Sequence, residues 1–320
     1  PQIAVSLVVL AYVTSDESYQ EAEGMYQRAI SIFEANPAHA SSDTTLLQQY
    51  AGALLNTGLL NSNYGKYKEA LGYYDKALAA YKASVGFESE PVAKLLNQIG
   101  NVHWYASDFE TAGRYYEQAL AIHRKTVGSF DRDLGMSLNN IAAVYNKLGR
   151  YAEAEQYLQE SIHIKERLYG PTSGQVASGL INLAYNCARQ GKFNEAKPLH
   201  QQGSYYERQH VGPYAKEYGF TLEGASPLYR AWGDYDSSIY FAEAAVDLRK
   251  RIYRNLSVVF SEKDIFSHSI FLRNAVDIAL SAYLDHPRPE VLARAITHII
   301  GGKEHLADEL WARREICCGS

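Results

Sequence analysis

Leu138-Asn-Asn-Ile-Ala-Ala-Val-Tyr145-Asn-Lys-Leu-Gly149-Arg-Tyr151-Ala-Glu-Ala154-Glu-Gln-Tyr-Leu158-Gln-Glu-Ser161-Ile162 is the stretch that decides the fold. Apolar and small residues recur at helical spacing on both sides of Gly149. Gly149 suits the helix C-terminal position that needs a positive φ. The second helix begins within a few residues, so the two helices must run antiparallel. Small side chains at Ala142, Ala154 and Ser161 let the backbones approach. Leu138, Ile141, Tyr145, Tyr151 and Leu158 fill the remaining space.

The pattern repeats outward from there. Gly86, Gly128, Gly170 and Gly212 stand 42 residues apart. Tyr67, Phe109, Tyr151, Phe193 and Tyr235 keep the same interval, as do Ala70, Ala112, Ala154, Ala196 and Ser238. A fixed period of this length means a solenoid, in which each unit buries its apolar face on its neighbours. An opening pair shows as Tyr19, Ala22 and Ala29 after the apolar run Ile3–Val13, with extra residues in the link around Asn36-Pro37-Ala38. The fifth 42-residue unit carries Ser226-Pro227 inside its first helix, where proline should kink or shorten it. Six helix pairs are expected.

A large residue, a small residue, an aromatic, a glycine, an aromatic and two small residues recur as Ile141, Ala142, Tyr145, Gly149, Tyr151, Ala154 and Ser161. The neighbouring units read Ile99, Gly100, His103, Ser107, Phe109, Ala112, Ala119, and Leu183, Ala184, Cys187, Gly191, Phe193, Ala196, Gly203. This order resembles the tetratricopeptide repeat (TPR). The length of 42 residues and the Leu-Asn-Asn opening are similar to the kinesin light chain class of these repeats. The resemblance implies an all-α, right-handed solenoid over residues 1–254 whose first helices line a concave, partner-binding groove.

Carried onto this sequence, the groove positions are Asn56; Lys94, Asn97, Gln98, Asn101 and Tyr105; Asn139, Asn140 and Lys147; and Asn182, Tyr185 and Arg189. Side-chain amides can bond an extended peptide's backbone without specifying its sequence. Lys94, Lys147 and Arg189 favour acidic groups or a C-terminal carboxylate. Gln98, Asn140 and Asn182 form a ladder of amides at one position of three successive repeats. The same residues also suit a plain packing or capping role.

From about Asn255 the period stops, and residues 255–320 read as a helical cap with a break at Asp285-His-Pro-Arg-Pro289. This segment resembles the helical connector that joins TPRs to a caspase-like CHAT peptidase domain in bacterial proteins. The matching residues are Ser261-Glu262-Lys263, Asp277-Ile-Ala-Leu280-Ser281, Pro287–Pro289, Lys303, and Asp308-Glu309 with Arg313-Arg314. The order Gly302-Lys303-Glu304 departs from the Lys-Gly usual there. The resemblance implies a regulatory arm whose peptidase domain follows residue 320 in cis. A free-standing adaptor with no linked peptidase is the other reading.

Composition narrows the classes. The net charge is −5 with both signs interspersed, so nucleic acid is not an expected partner. Three cysteines in 320 residues indicate no disulfide framework and a reducing, cytoplasmic setting. Ile3–Val13 is about half the length needed to cross a bilayer. Cys187 and His103 share the buried aromatic position of Tyr145, so both are expected in the core. His298 and His305 lie seven apart with no evident partner, and Cys317-Cys318 stand near the end without ligand spacing. The chain offers no nucleophile with a base, no phosphate loop and no metal motif. It is expected to be a scaffold, without cofactor or enzymatic activity.

Overall fold

A computed structural model describes residues 2–15, 18–35, 43–128, 130–212, 215–256 and 275–282. They are helical apart from the connecting turns, with no strand among the described residues. The chain forms two compact units, residues 1–171 and 172–320.

The first unit holds α1 (Gln2–Thr14), α2 (Tyr19–Glu34), α3 (Thr44–Asn63), α4 (Tyr67–Val85), α5 (Glu90–Tyr105), α6 (Phe109–Thr126), α7 (Arg132–Lys147) and α8 (Tyr151–Tyr169). They pack as the pairs α1/α2, α3/α4, α5/α6 and α7/α8, and the second helix of each pair meets the first helix of the next. The first helices also touch one another, α1 to α3, α3 to α5 and α5 to α7, so they line one side of this unit. The second unit holds α9 (Gly174–Arg189), α10 (Phe193–Val211), α11 (Lys216–Ala231) and α12 (Tyr235–Leu256), again in two pairs. Six pairs are the number the period requires.

Local chemistry explains where the helices start and stop. Asp43, Asp108 and Asp131 accept hydrogen bonds from the first free N–H groups of α3, α6 and α7, as N-caps should. Five turns close with one and the same bond. The backbone N–H of Lys66, Asp108, Arg150, Lys192 and Asp234 donates to the carbonyl of Asn61, His103, Tyr145, Cys187 and Tyr229, at 2.8–3.0 Å. This is the six-to-one bond of a Schellman turn, which needs a left-handed residue before its donor. Gly65, Gly149, Gly191 and Gly233 supply it with φ of 73–77°, and Ser107 supplies it at 62°.

The cores follow the repeat. Ala70, Ala112, Ala154 and Ala196 are fully buried, and Tyr26, Tyr74 and Leu138 are covered beside them. Cys187 is buried, as expected. His103 is not: it is half-buried, its Nδ1 lies 3.2 Å from the Asp108 carboxylate, and its ring stacks on Tyr115. Pro227 neither shortens nor ends α11, which keeps the 16 residues of α5, α7 and α9. The Ser238 hydroxyl donates to the Ser226 carbonyl at 2.9 Å and ties the helix to α12 beside that proline.

Of the expected C-terminal cap, one helix falls among the described residues, α13 (275–282). Its Ala275, Val276, Ala279 and Ala282 join the core of Leu222, Ile239, Ala242 and Val246. Arg230 donates to the Ser281 hydroxyl at 2.6 Å. Most of the connector motif, with His298, His305, Cys317 and Cys318, lies outside the described residues.

One polar cluster is sealed inside the first unit where α5, α6 and α7 meet. Asn97 Nδ2 donates to Ser137 Oγ at 2.8 Å, and His123 Nδ1 lies 2.9 Å from the same oxygen. With Asn97 donating, the Ser137 proton is available to His123 Nδ1, which places the ring proton on Nε2. That Nε2 and Asn97 Oδ1 are buried without a partner among the described residues. Burial pushes the His123 imidazole below its ordinary pKa, against the pull of Asp133, Asp131 and Glu90 and with the push of Lys94. In the second unit, burial lowers His200 to about 4.

Three outcomes are expected. Ser107→Gly should raise stability by about 0.5–1.5 kcal/mol in denaturant unfolding, because glycine meets no steric cost in the left-handed region. Gly149→Ser should lower it by a similar amount. A neutral buried His123 stabilises the fold fully above its unfolded pKa of about 6.5. That stability is lost as pH falls, because the unfolded chain takes up the proton first. Melting curves between pH 7.5 and 5 should show a smaller acid-side loss for His123→Gln than for the unaltered protein.

Candidate peptide-binding surface

The candidate residues of the first unit sit on α3, α5 and α7, the helices that touch along one side. Asn56, Gln98 and Asn140 occupy the same repeat position, one on each helix, and all three are half-buried. Asn56 and Asn140 make no side-chain hydrogen bond among the described residues. Gln98 Oε1 accepts from Asn101 Nδ2 at 3.1 Å, and Asn101 Oδ1 accepts from the Tyr116 hydroxyl at 2.7 Å. The Tyr116 bond thus fixes Asn101, and Asn101 in turn orients Gln98.

Two candidates turn out to be spent within the fold. Asn97 lies one residue from Gln98, and that one-residue step (about 100° around a helix) carries it into the sealed cluster with Ser137. Lys94 is half-exposed, but its ammonium is shared by Glu90 at 2.6 Å and Asp133 at 2.9 Å. Hydrogen bonds to these two carboxylates raise its pKa. Its charge is neutralised locally, so it is not a free site for an acidic group. Periodicity reveals which face a residue occupies but not its partner, so both pairings were invisible in the repeat.

Lys147 is different. It is exposed at the end of α7, and its ammonium lies 5.9 Å from the ring centres of both Trp104 and Phe109. Contacts of this kind hold a cation in place without neutralising it. Tyr105, 64% exposed at the end of α5, stacks nearly parallel on Tyr67 with centroids 6.2 Å apart. Asn139 is half-buried on α7.

In the second unit, Asn182 and Tyr185 on α9 are half-buried and Arg189 is exposed. Burial pushes the Tyr185 hydroxyl above its ordinary pKa, and its ring meets His200 edge-on at 6.2 Å. A Cβ at Gly224 would fall 2.1 Å from the Tyr185 hydroxyl oxygen, so a larger residue there would displace the tip of that ring. Asn182 continues the amide position of Gln98 and Asn140 by sequence. The sequence reading also missed a buried ion pair in this unit. Arg249 Nε donates to Glu223 Oε1 at 2.6 Å, with both side chains less than a tenth exposed. Sealed away in this manner, the pair fixes packing between α11 and α12 and presents nothing to a ligand.

No helix among the described residues is long and apolar enough to cross a membrane. Residues 49–125, 91–161 and 133–204 each match the tetratricopeptide repeat family. No curated protein matches the sequence. Solved structures similar to the chain include BtubC (BKLC) from P. vanneervenii, at 18% identity and a TM-score of 0.63 over 73% of this chain and 92% of that one. A putative kinesin light chain with TPR-like repeats from Podosopora anserina gives 17% identity and 0.53 over 64% and 94%. A tetratricopeptide repeat protein from Parabacteroides merdae gives 17% and 0.55 over 94% and 100%. Identities this low speak for the fold alone. Repeats of this type typically serve protein–protein interaction on non-catalytic scaffolds. Residues 49–204 match the tetratricopeptide repeat family, and the described residues form all-helical repeat pairs similar in fold to the kinesin-light-chain-like TPR proteins.

Proposed function

We propose that this chain is a non-enzymatic scaffold that captures an extended peptide segment of a partner protein on the first helices of its repeats. The observation that carries the reading is the amide column Asn56, Gln98 and Asn140. Half-buried amides at one position of three touching helices stay open on one side, where a peptide backbone can take the place of water. Adjacent helices sit about 8–10 Å apart. An extended chain advances about 3.3 Å per residue. A segment crossing α3, α5 and α7 therefore meets an amide at about every third residue, and its backbone can bond each one. Lys147 and Tyr105 stand at the helix ends as a cation and an aromatic platform, which suits a segment carrying an acidic group.

Cytoplasmic residence fits the low cysteine content and the buried, reduced Cys187. The reading as the arm of a CHAT peptidase rests on the sequence of residues 255–320, and α13 is the described part of it. Sequencing the reading frame past residue 320 separates that reading from the free adaptor. A His-and-Cys-bearing α/β segment supports the arm, and a stop codon supports the adaptor.

Peptides selected from a random display library on the immobilised protein provide the probe. Asn140→Ala should weaken a selected peptide roughly 2–10-fold in titration calorimetry, the worth of one hydrogen bond. The melting midpoint should barely move. A midpoint that falls by many degrees with affinity unchanged makes Asn140 a packing residue and removes the basis of the proposal.

A further inference from the structure

The chain of hydrogen bonds that ends on Gln98 has a direction. A carboxamide has almost the same outline either way round, so its neighbours decide which end is the donor. Tyr116 begins the chain. Its side chain is 3% exposed, and its ring lies so close to α5 that a Cβ at Gly100 would fall 2.5 Å from Cε1. Glycine there lets the hydroxyl reach Asn101. Burial, with a smaller push from Tyr105, holds that hydroxyl above its ordinary pKa, so it keeps its proton. Among the described residues the proton has one acceptor, Asn101 Oδ1 at 2.7 Å.

The rest follows from that proton. With Oδ1 taken by Tyr116, Asn101 turns its Nδ2 to Gln98 and donates to Oε1 at 3.1 Å. With Oε1 taken by Asn101, Gln98 has its Nε2 left to present, and that group only donates. Reversing both amides would leave the buried Tyr116 O–H without an acceptor, which is the costly arrangement. We infer that Tyr116 and Asn101 set the polarity of the groove at Gln98, making it a donor-only position that selects a main-chain carbonyl of the bound segment over an N–H. The inference rests on the peptide reading of the groove and adds its polarity.

The neighbouring repeats of the first unit lack this relay. The position of Asn101 is Leu59 on α3 and Ala143 on α7, and the position of Tyr116 is Tyr74 on α4 and Leu158 on α8. Leu59 has no oxygen to take the Tyr74 proton, and Ala143 and Leu158 carry no polar side-chain atom. Asn56 and Asn140 can therefore turn either end of the amide to a ligand. A segment crossing the column meets one committed amide between two adaptable ones. Every extended backbone offers carbonyls at regular intervals, so the committed amide constrains register rather than sequence.

Side-chain amide NMR spectra of the free protein test the relay without a ligand. The Asn101 proton held by Gln98 should exchange with water more slowly than either Gln98 proton. Asn101→Asp still accepts from Tyr116 but can only accept from Gln98. It should turn that carboxamide round and slow the exchange of one Gln98 proton. Gln98 exchange that does not change in this variant overturns the inference.

Binding is the second arm. The probe is a peptide selected from a library without Asp or Glu, capped at both ends, that Asn140→Ala weakens. Failure to find one counts against the groove reading and not against the relay, which the spectra decide. Asn101→Asp and Gln98→Glu should each weaken the peptide about tenfold or more, because each sets an oxygen against the carbonyl. Relative to the unaltered protein, the Gln98→Glu loss should shrink about twofold or more from pH 7 to pH 5, since a protonated carboxyl donates again. Affinity kept or raised by Gln98→Glu, or a loss that grows on acidification, means that Gln98 accepts from a backbone N–H and overturns the inference.

Discussion

Five of the six helix pairs close over an alanine methyl group, and the sixth closes over Ser238. Ala70, Ala112, Ala154 and Ala196 recur every 42 residues with no exposed surface, and a larger side chain there would hold the two helices apart. Close approach is what lets Tyr74 and Tyr116, each four residues further on, reach Gly58 and Gly100 on the first helix of their own pair. Once the pair is closed, its outer ridge is fixed, and the next first helix has one way to lie on it. The five identical turn bonds follow from the same constraint, because a chain reversing direction at this spacing has room for one residue in the left-handed region. A solenoid built this way has only neighbour-to-neighbour terms, so a local defect weakens a local interface.

The side of the first unit formed by α3, α5 and α7 inherits its character from that packing. Positions facing the second helix of their pair must be apolar or small. Positions one step further round are half-covered by the next first helix and half open. Amides at those positions are partly covered by the fold and partly open to solvent. That intermediate state makes Asn56 and Asn140 more informative than fully exposed Asn or Gln residues would be. Asn97 shows the other side of the boundary, where one step of rotation gives a sealed polar contact.

The architecture was legible in the sequence because period is a backbone property. The helix pairs, the left-handed turn at Gly149 and the buried thiol of Cys187 all follow from residue types recurring at fixed intervals. Partner choice among side chains was not legible. Lys94 with Asp133, Asn97 with Ser137 and His123, and Arg249 with Glu223 each join residues from different helices, and the interval says nothing about rotamers. His103 reads as a core residue because Tyr145 holds that position in the next repeat. The Asp108 carboxylate five residues later draws it partly outward. Pro227 predicts a kinked or shortened α11, and the tie from Ser238 to Ser226 beside it is not legible from α11 alone. The apolar run of α1 reads as a first helix, but its pattern does not say that Ala4 and Ala11 are the residues that pack inward.

Hydrogen exchange on the protein with and without a selected peptide tests the central claim most directly. Contact through the amide column predicts slowed exchange in the middle turns of α3, α5 and α7, around Asn56, Gln98 and Asn140, with α4, α6 and α8 unchanged. Protection confined to the second helices, or to α1, would contradict it.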